Sequence, residues 1–456
     1  MMAKFLFLIF LTFLVNLKVG SAVICEYKVA EDGDYTCRIY NQNLLIEADI
    51  SGDHVTEDLT DESVVELIVM DSTVQIFPNS FFDKFKNLLR VEIVESGMKT
   101  FGQPITNCES LAILWLDYNE ITSIPAEIFS NCVNLFDLSL SGNQIDTIHV
   151  HAFVGLTKLR ELTLQNNRLE VIDPQIFLPI SSLTMLDLDN NLISNIDEKT
   201  FQLLPNLVEL QFSNNSFTTW DETLLVNNQM LLHLTLEGIQ ISNFSDYAFS
   251  NLLKLETLII SGNLEMVPRL KNLPSLSWLT LDENKFTQFS LESLSNLPKL
   301  LELSLNGNLL GSINFTVAAG QVFPALESLS FNNNGIHTIL GNIFESLPDL
   351  KFLFLSGNHL HVIRASSIKP HPLLEILDIS NNHMIRIDRE IFENVTKLEL
   401  RGTDNFCFNE DILIDNNFDT EVEEILKDCF NIAITVQVNI FVMAVSVIAS
   451  LLLEKI

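Results

Sequence analysis

The sequence predicts an α/β solenoid, a curved stack of coils with one parallel strand per coil, and two observations carry that reading. The first is a fixed period. LFDLSLSGNQI begins at Leu135, LRELTLQNNRL at Leu159, LTMLDLDNNLI at Leu183 and LVELQFSNNSF at Leu207, a spacing of 24 residues each time. A repeat of this size is one supersecondary unit that cannot bury its apolar face alone, so its neighbours must stack on it. The second is the alternation inside each unit, where leucines two apart with a polar residue between them mark a half-buried strand. Stacked coil on coil, these strands make a parallel sheet along one side.

Fifteen units begin at Val64, Leu88, Leu111, Leu135, Leu159, Leu183, Leu207, Leu231, Leu255, Leu276, Leu300, Leu326, Leu350, Leu374 and Val395, the first two and the last being degenerate. Residues 64–404 are therefore read as the array. An asparagine ladder runs through it: Asn119, Asn143, Asn167, Asn191 and Asn215, continued by Asn263, Asn284, Asn308, Asn334, Asn358 and Asn382. A primary amide both donates and accepts, so it can satisfy backbone groups left unpaired where each coil turns. A second ladder, Phe129, Phe153, Phe177 and Phe201, rejoined by Phe249, Phe344 and Phe392, fills the far side of the core. Ile239 interrupts the asparagines.

The ends are read differently. In residues 1–22, Lys4 precedes the apolar run Phe5 to Val15, and Gly20, Ser21 and Ala22 supply a cleavage site, the pattern of a secretory signal peptide. Six cysteines fit the oxidising compartment beyond it. Sequons at Asn214, Asn243, Asn314 and Asn394 mark a glycoprotein. Residues 23–63 do not repeat. Cys25 and Cys37 bracket an acidic loop there, and a bridge between them would hold a cap over the first coil.

The motif L-x-x-L-x-L-x-x-N-x-L, with a Phe in each outer segment, resembles the extracellular leucine-rich repeat proteins over residues 25–429. That class includes Toll-type ectodomains, Slit-like ligands, small matrix proteoglycans and insect surface proteins of the connectin and chaoptin kind. The resemblance implies a horseshoe with its parallel sheet on the concave face, cysteine-bearing caps at both ends and a protein-binding function. This chain departs from the usual caps, showing two cysteines at each end where four are common.

Residues 405–429 read as the closing cap: Thr420-Glu421-Val422-Glu423 opens a short helix, and a Cys407–Cys429 bridge would pin it. Cys108 and Cys132 fall at equivalent positions 24 apart and should be core-facing neighbours, either bridged or free. In the tail, 430–456, the clean apolar run Ile440 to Leu453 is short for a spanning helix. It fits a glycolipid-anchor signal with Asn431 as attachment site, a single span, or neither.

Charge and motifs narrow the function. A net charge of −33 excludes the basic patches that nucleic-acid binding needs, and it favours cationic partners. No catalytic or nucleotide-binding motif appears, so no enzyme and no cofactor is expected. The pairs His149/His151 and His359/His361 put imidazoles at strand spacing, and the plain reading is surface histidines. The informative surface is the solvent side of the sheet. Trp115, Phe136, Trp278, Phe352 and Phe354 are large apolar residues there, among Asp137, Glu161, Glu209, His233 and Glu302. Aromatics amid acids form a protein-binding surface. The expectation is a non-enzymatic cell-surface or secreted protein that binds protein or glycan, in adhesion, receptor complexes or innate immunity, with oligomers open. A soluble or matrix-bound structural role is the alternative.

Overall fold

The computed structural model describes residues 23–401 other than 32, 45–49, 295–296, 316–322, 324, 370, 385, 389–390 and 392–397. The expected signal peptide, Phe392, the Asn394 sequon, the expected closing cap with Cys407 and Cys429, and the tail lie outside the described residues. Among the described residues no helix is long and apolar enough to cross a membrane. The chain forms two compact units, Met1–Ile260 and Ser261–Ile456, and each is a parallel-strand solenoid.

The first unit opens on an antiparallel hairpin, Glu26–Val29 against Tyr35–Tyr40, with Cys25 and Cys37 bridged at a Cα separation of 5.5 Å. Tyr35–Tyr40 then pairs in parallel with Glu66–Met70, which pairs with Arg90–Val94. Ile113–Trp115, Asp137–Ser139, Glu161–Thr163, Met185–Asp187, Glu209–Gln211 and His233–Ile239 follow in register. The stack therefore begins one strand before the first repeat visible in the sequence. Cys37 and Ile39 take the buried places that Leu67 and Val69 take next. That strand lacks leucine, which is why the period does not reveal it. In the second unit Trp278–Thr280, Glu302–Ser304, Ser328–Ser330, Phe352–Phe354, Ile376–Asp378 and Glu399–Arg401 are stacked in the same way.

Each strand turns its leucines inward: Leu138, Leu162, Leu186 and Leu210 have no exposed surface. Phe129, Phe153, Phe177 and Phe201 close the opposite side at full burial, and Phe101 and Phe77 extend that aromatic row toward the N-terminus. The outer segments are mostly turns. Helix is slight among the described residues: Ser80–Lys84, Ile343–Ser346 and the 3-10 stretches Asp61–Ser63, Leu291–Leu294 and Pro174–Ile180, the last being the longest. That stretch starts where it does because Asp173 accepts from the Gln175 N–H and Pro174 has no N–H to leave unpaired. Short parallel pairs, such as Ser123–Ile124 with Thr147–Ile148, tie successive outer segments.

The asparagine ladder works as a backbone clamp. Asn143 Nδ2 donates to the carbonyls of Leu116 and Leu140 at 2.9 and 3.0 Å, while its Oδ1 accepts from the Ile121 N–H at 3.1 Å. Asn167, Asn191, Asn308 and Asn382 donate to the equivalent carbonyls. The residue before the clamp is left-handed, with φ of 55° at Asn166 and Asn190 and 65° at Gly142. Glycine meets no Cβ penalty there and asparagine tolerates it, which accounts for the N-N and G-N pairs in the sequence. Where Ile239 replaces the clamp, the strand runs on for seven residues, His233–Ile239, instead of three. Cys108 and Cys132 are bridged with Cα atoms 4.8 Å apart, so the stacking of equivalent positions has brought both thiols together inside the core.

Candidate binding face

Side chains flanking each central leucine point away from the core. In the first unit one solvent column runs Ile113, Asp137, Glu161, Met185, Glu209, His233, each the direct partner of the next. Beside it run Trp115, Ser139, Thr163, Asp187, Gln211 and Thr235. In the second unit the columns read Trp278, Glu302, Ser328, Phe352, Ile376 and Thr280, Ser304, Ser330, Phe354, Asp378. Phe136 stands just before its strand and is 46% exposed.

The face of the first unit is an acidic strip. Burial pushes the Asp187 carboxyl up to about 6; the charges of Asp189 and Glu209 add to this, and the Asp189 N–H, donating at 2.9 Å, opposes it. Glu161 is raised by burial and then by Asp137 and Glu209 on either side. Asp137 is raised by burial against the pull of the Trp115 indole and of Arg90. Burial is the largest cause of all three upward shifts, and neighbouring acids add to those of Glu161 and Asp187. Ion pairs on this side of the unit join Arg90 to Glu66 and Glu92, and Lys28 to Glu26. None reaches Asp137, Glu161, Asp187, Asp189 or Glu209 among the described residues.

Trp115 is not a free anchor. The Arg90 guanidinium lies over its ring at 4.2 Å and its Nε1 donates to Asp137 Oδ2 at 2.9 Å, so side chains of three successive coils lock together. Trp278 is more open, 37% exposed, with its Nε1 donating to Thr280 Oγ1 at 3.1 Å. Phe352 and Phe354 are half-buried, each flanked by a small serine, Ser328 or Ser330, on one neighbouring strand. Glu302 is raised by burial, and Gln211 donates to Glu209 at 2.7 Å. His233 is half-buried at the end of the first unit's column.

A third column went unread in the sequence. Asp117 Oδ1 accepts from the Ser141 N–H at 2.9 Å, Asp282 Oδ1 from the Asn306 N–H at 2.7 Å, and Asn306 Oδ1 from the Asn332 N–H at 2.7 Å. These side chains clamp the next coil on the solvent edge as the asparagines do inside. Aspartate, asparagine, serine, glutamine and glutamate share the position, so no single letter recurs to reveal it. The sequons Asn214, Asn243 and Asn314 are exposed.

Residues 109–169 and 157–217 match the leucine rich repeat family. No curated protein matches the sequence. Among solved structures, a leucine-rich repeat protein of Leptospira interrogans superposes with a TM-score of 0.62 at 22% identity, over 79% of this chain and 89% of that one. The APL1 leucine-rich repeat domain superposes at 0.55 and 21% identity, over 87% and 92% of the two chains. A chain of the Toll–Spatzle complex of Drosophila gives 0.57 and 20%, over 77% of this chain and 54% of that one. Residues 109–217 thus belong to the leucine-rich repeat family, and the coils on either side of them repeat the same fold.

Proposed function

We propose that the chain is a non-enzymatic extracellular binding protein that takes a cationic protein partner on the solvent face of its sheet. The observation that carries this is the strip of Asp137, Glu161, Asp187 and Glu209 on four successive strands, with Asp189 just past the end of one of them, without a lysine or arginine paired to it among the described residues. Crowded carboxylates steer a basic surface into place, and pairing with one favours the charged forms that burial and, at Glu161 and Asp187, neighbouring acids disfavour. Trp278, Phe352 and Phe354 supply the apolar anchors of the second unit's face. A fold neighbour, the Toll–Spatzle complex, is described as a hub of development and innate immunity, and a role of that kind fits this reading. Secretion is supported by the leader pattern, two disulfides and three exposed sequons. The apolar run of the tail supports a glycolipid anchor or a single span; release from cells by phosphatidylinositol-specific phospholipase would indicate the anchor, and retention with the C-terminal peptide detectable the span.

The test is a binding screen of the secreted protein against an array of extracellular proteins, run at low and high salt. Wild type should capture basic partners, with slower association as salt rises. Glu161→Lys with Glu209→Lys should abolish the capture, and Trp278→Ala or Phe354→Ala should weaken it without lowering thermal stability. Partners that bind the charge-reversed variant equally well would overturn the reading.

A further inference from the structure

The second unit gathers histidines on the outer side of its clamp. His359 and His361 alternate on an extended segment, so both rings leave the surface while Leu360 between them is fully buried. His383 sits one coil on at the place of His359, each following a clamp residue, Asn358 and Asn382. The His359 and His383 rings are stacked 14° apart with centroids at 5.9 Å, and His361 and His383 are also 5.9 Å apart. We propose that His359, His361 and His383 bind a divalent transition-metal ion, with zinc and nickel(II) as the test ions.

Three features support this. Two imidazoles sharing one ion, each through a nitrogen at about 2.0–2.1 Å, have centroids roughly 5–6 Å apart, a separation these rings already have, although the stacked His359 and His383 must turn to aim their nitrogens at one point. The backbone beneath is pinned, with the Leu360 N–H donating to Asn382 Oδ1 at 3.0 Å and the His359 N–H to the Ile336 carbonyl at 2.8 Å. Most telling is His361, whose Nδ1 lies 2.9 Å from the His359 carbonyl. A carbonyl only accepts, so Nδ1 carries the proton and the Nε2 lone pair is left to ligate, the device that orients metal-binding histidines. Among the described residues no three histidine, cysteine or acidic side chains already converge on one point. Loading therefore turns exposed rings about their side-chain torsions, a small cost for solvent-exposed side chains. The strongly acidic chain raises the local cation concentration.

His149 and His151 provide an internal control. They share the spacing and are exposed, but the equivalent positions one coil on are Asp173 and Gln175, so no third imidazole is present. His149 Nδ1 there accepts from the His151 N–H instead of donating to a carbonyl.

The experiment is calorimetric titration of the secreted full chain, purified without a histidine tag, with zinc chloride and then nickel chloride. One ion per chain is expected, weakened roughly tenfold or more in His383→Ala and lost in the His359→Ala/His383→Ala double variant. His149→Ala/His151→Ala should bind as wild type does. Because the rings are exposed, the metal-free variants should melt with the wild type, and added zinc should raise the melting temperature of wild type alone. No binding by wild type, unchanged binding in the double variant, or loss in the His149 pair would each overturn the assignment.

Discussion

At the scale of single residues, the same side-chain chemistry serves either the frame or the face, and position in the coil decides which. Asn191 is fully engaged inside, its Nδ2 donating to Leu164 and Leu188 carbonyls and its Oδ1 accepting from the Leu169 N–H. Asn191→Ala should cost about 1–3 kcal/mol, because those backbone groups stay buried without partners. Asn195→Ala, at an exposed position of the outer segment, should cost little in the same thermal unfolding experiment. Asp187 gives the matching case on the face. Its folded value of about 6 stands above the ordinary 3.8, so the folded state holds the proton more tightly than the unfolded chain does. Below about pH 4 the shift costs nothing; the cost grows as pH rises and is complete above about 6, on the order of 2–3 kcal/mol. Asp187→Asn should therefore melt higher than wild type at pH 7.5 and level with it at pH 4. Equal melting temperatures at both values would show that Asp187 is not so crowded. The inner asparagines were legible because one letter recurs. The lock of Arg90, Trp115 and Asp137 was not, since it joins three coils through contacts that a period alone does not specify.

At the scale of the element, stacking converts sequence spacing into neighbourhood. The 24 residues between Cys108 and Cys132 become a Cα separation of 4.8 Å, and the bridge ties two adjacent outer segments. Cys108→Ser with Cys132→Ser should lower stability by about 3 kcal/mol, the loop-closure value for a link of this length. Hydrogen exchange should quicken first at the Ile105 and Cys132 amides, which bond to outer-segment carbonyls beside the bridge. A variant as stable as wild type would show that burial alone holds these segments. Strand positions were readable from the alternation, but strand lengths were not. The long strand ending at Ile239 shows the reason: a strand stops where the clamp takes over the backbone, and a single substitution there lets pairing continue.

At the scale of the whole molecule, a net charge of −33 is spread over a chain whose described ion pairs are few, so most of its carboxylates have no cationic partner among the described ion pairs. The strip on the first unit's face gathers part of that excess, and a cationic partner docked there is the central claim. Carboxyl footprinting by mass spectrometry tests it most directly, comparing the protein alone and with a partner taken from the binding screen. Glu161 and Glu209 should be shielded from labelling in the complex, while Asp197 and Glu198 on an outer segment label equally in both states. Shielding of Asp197 and Glu198 with Glu161 and Glu209 still open would contradict the account.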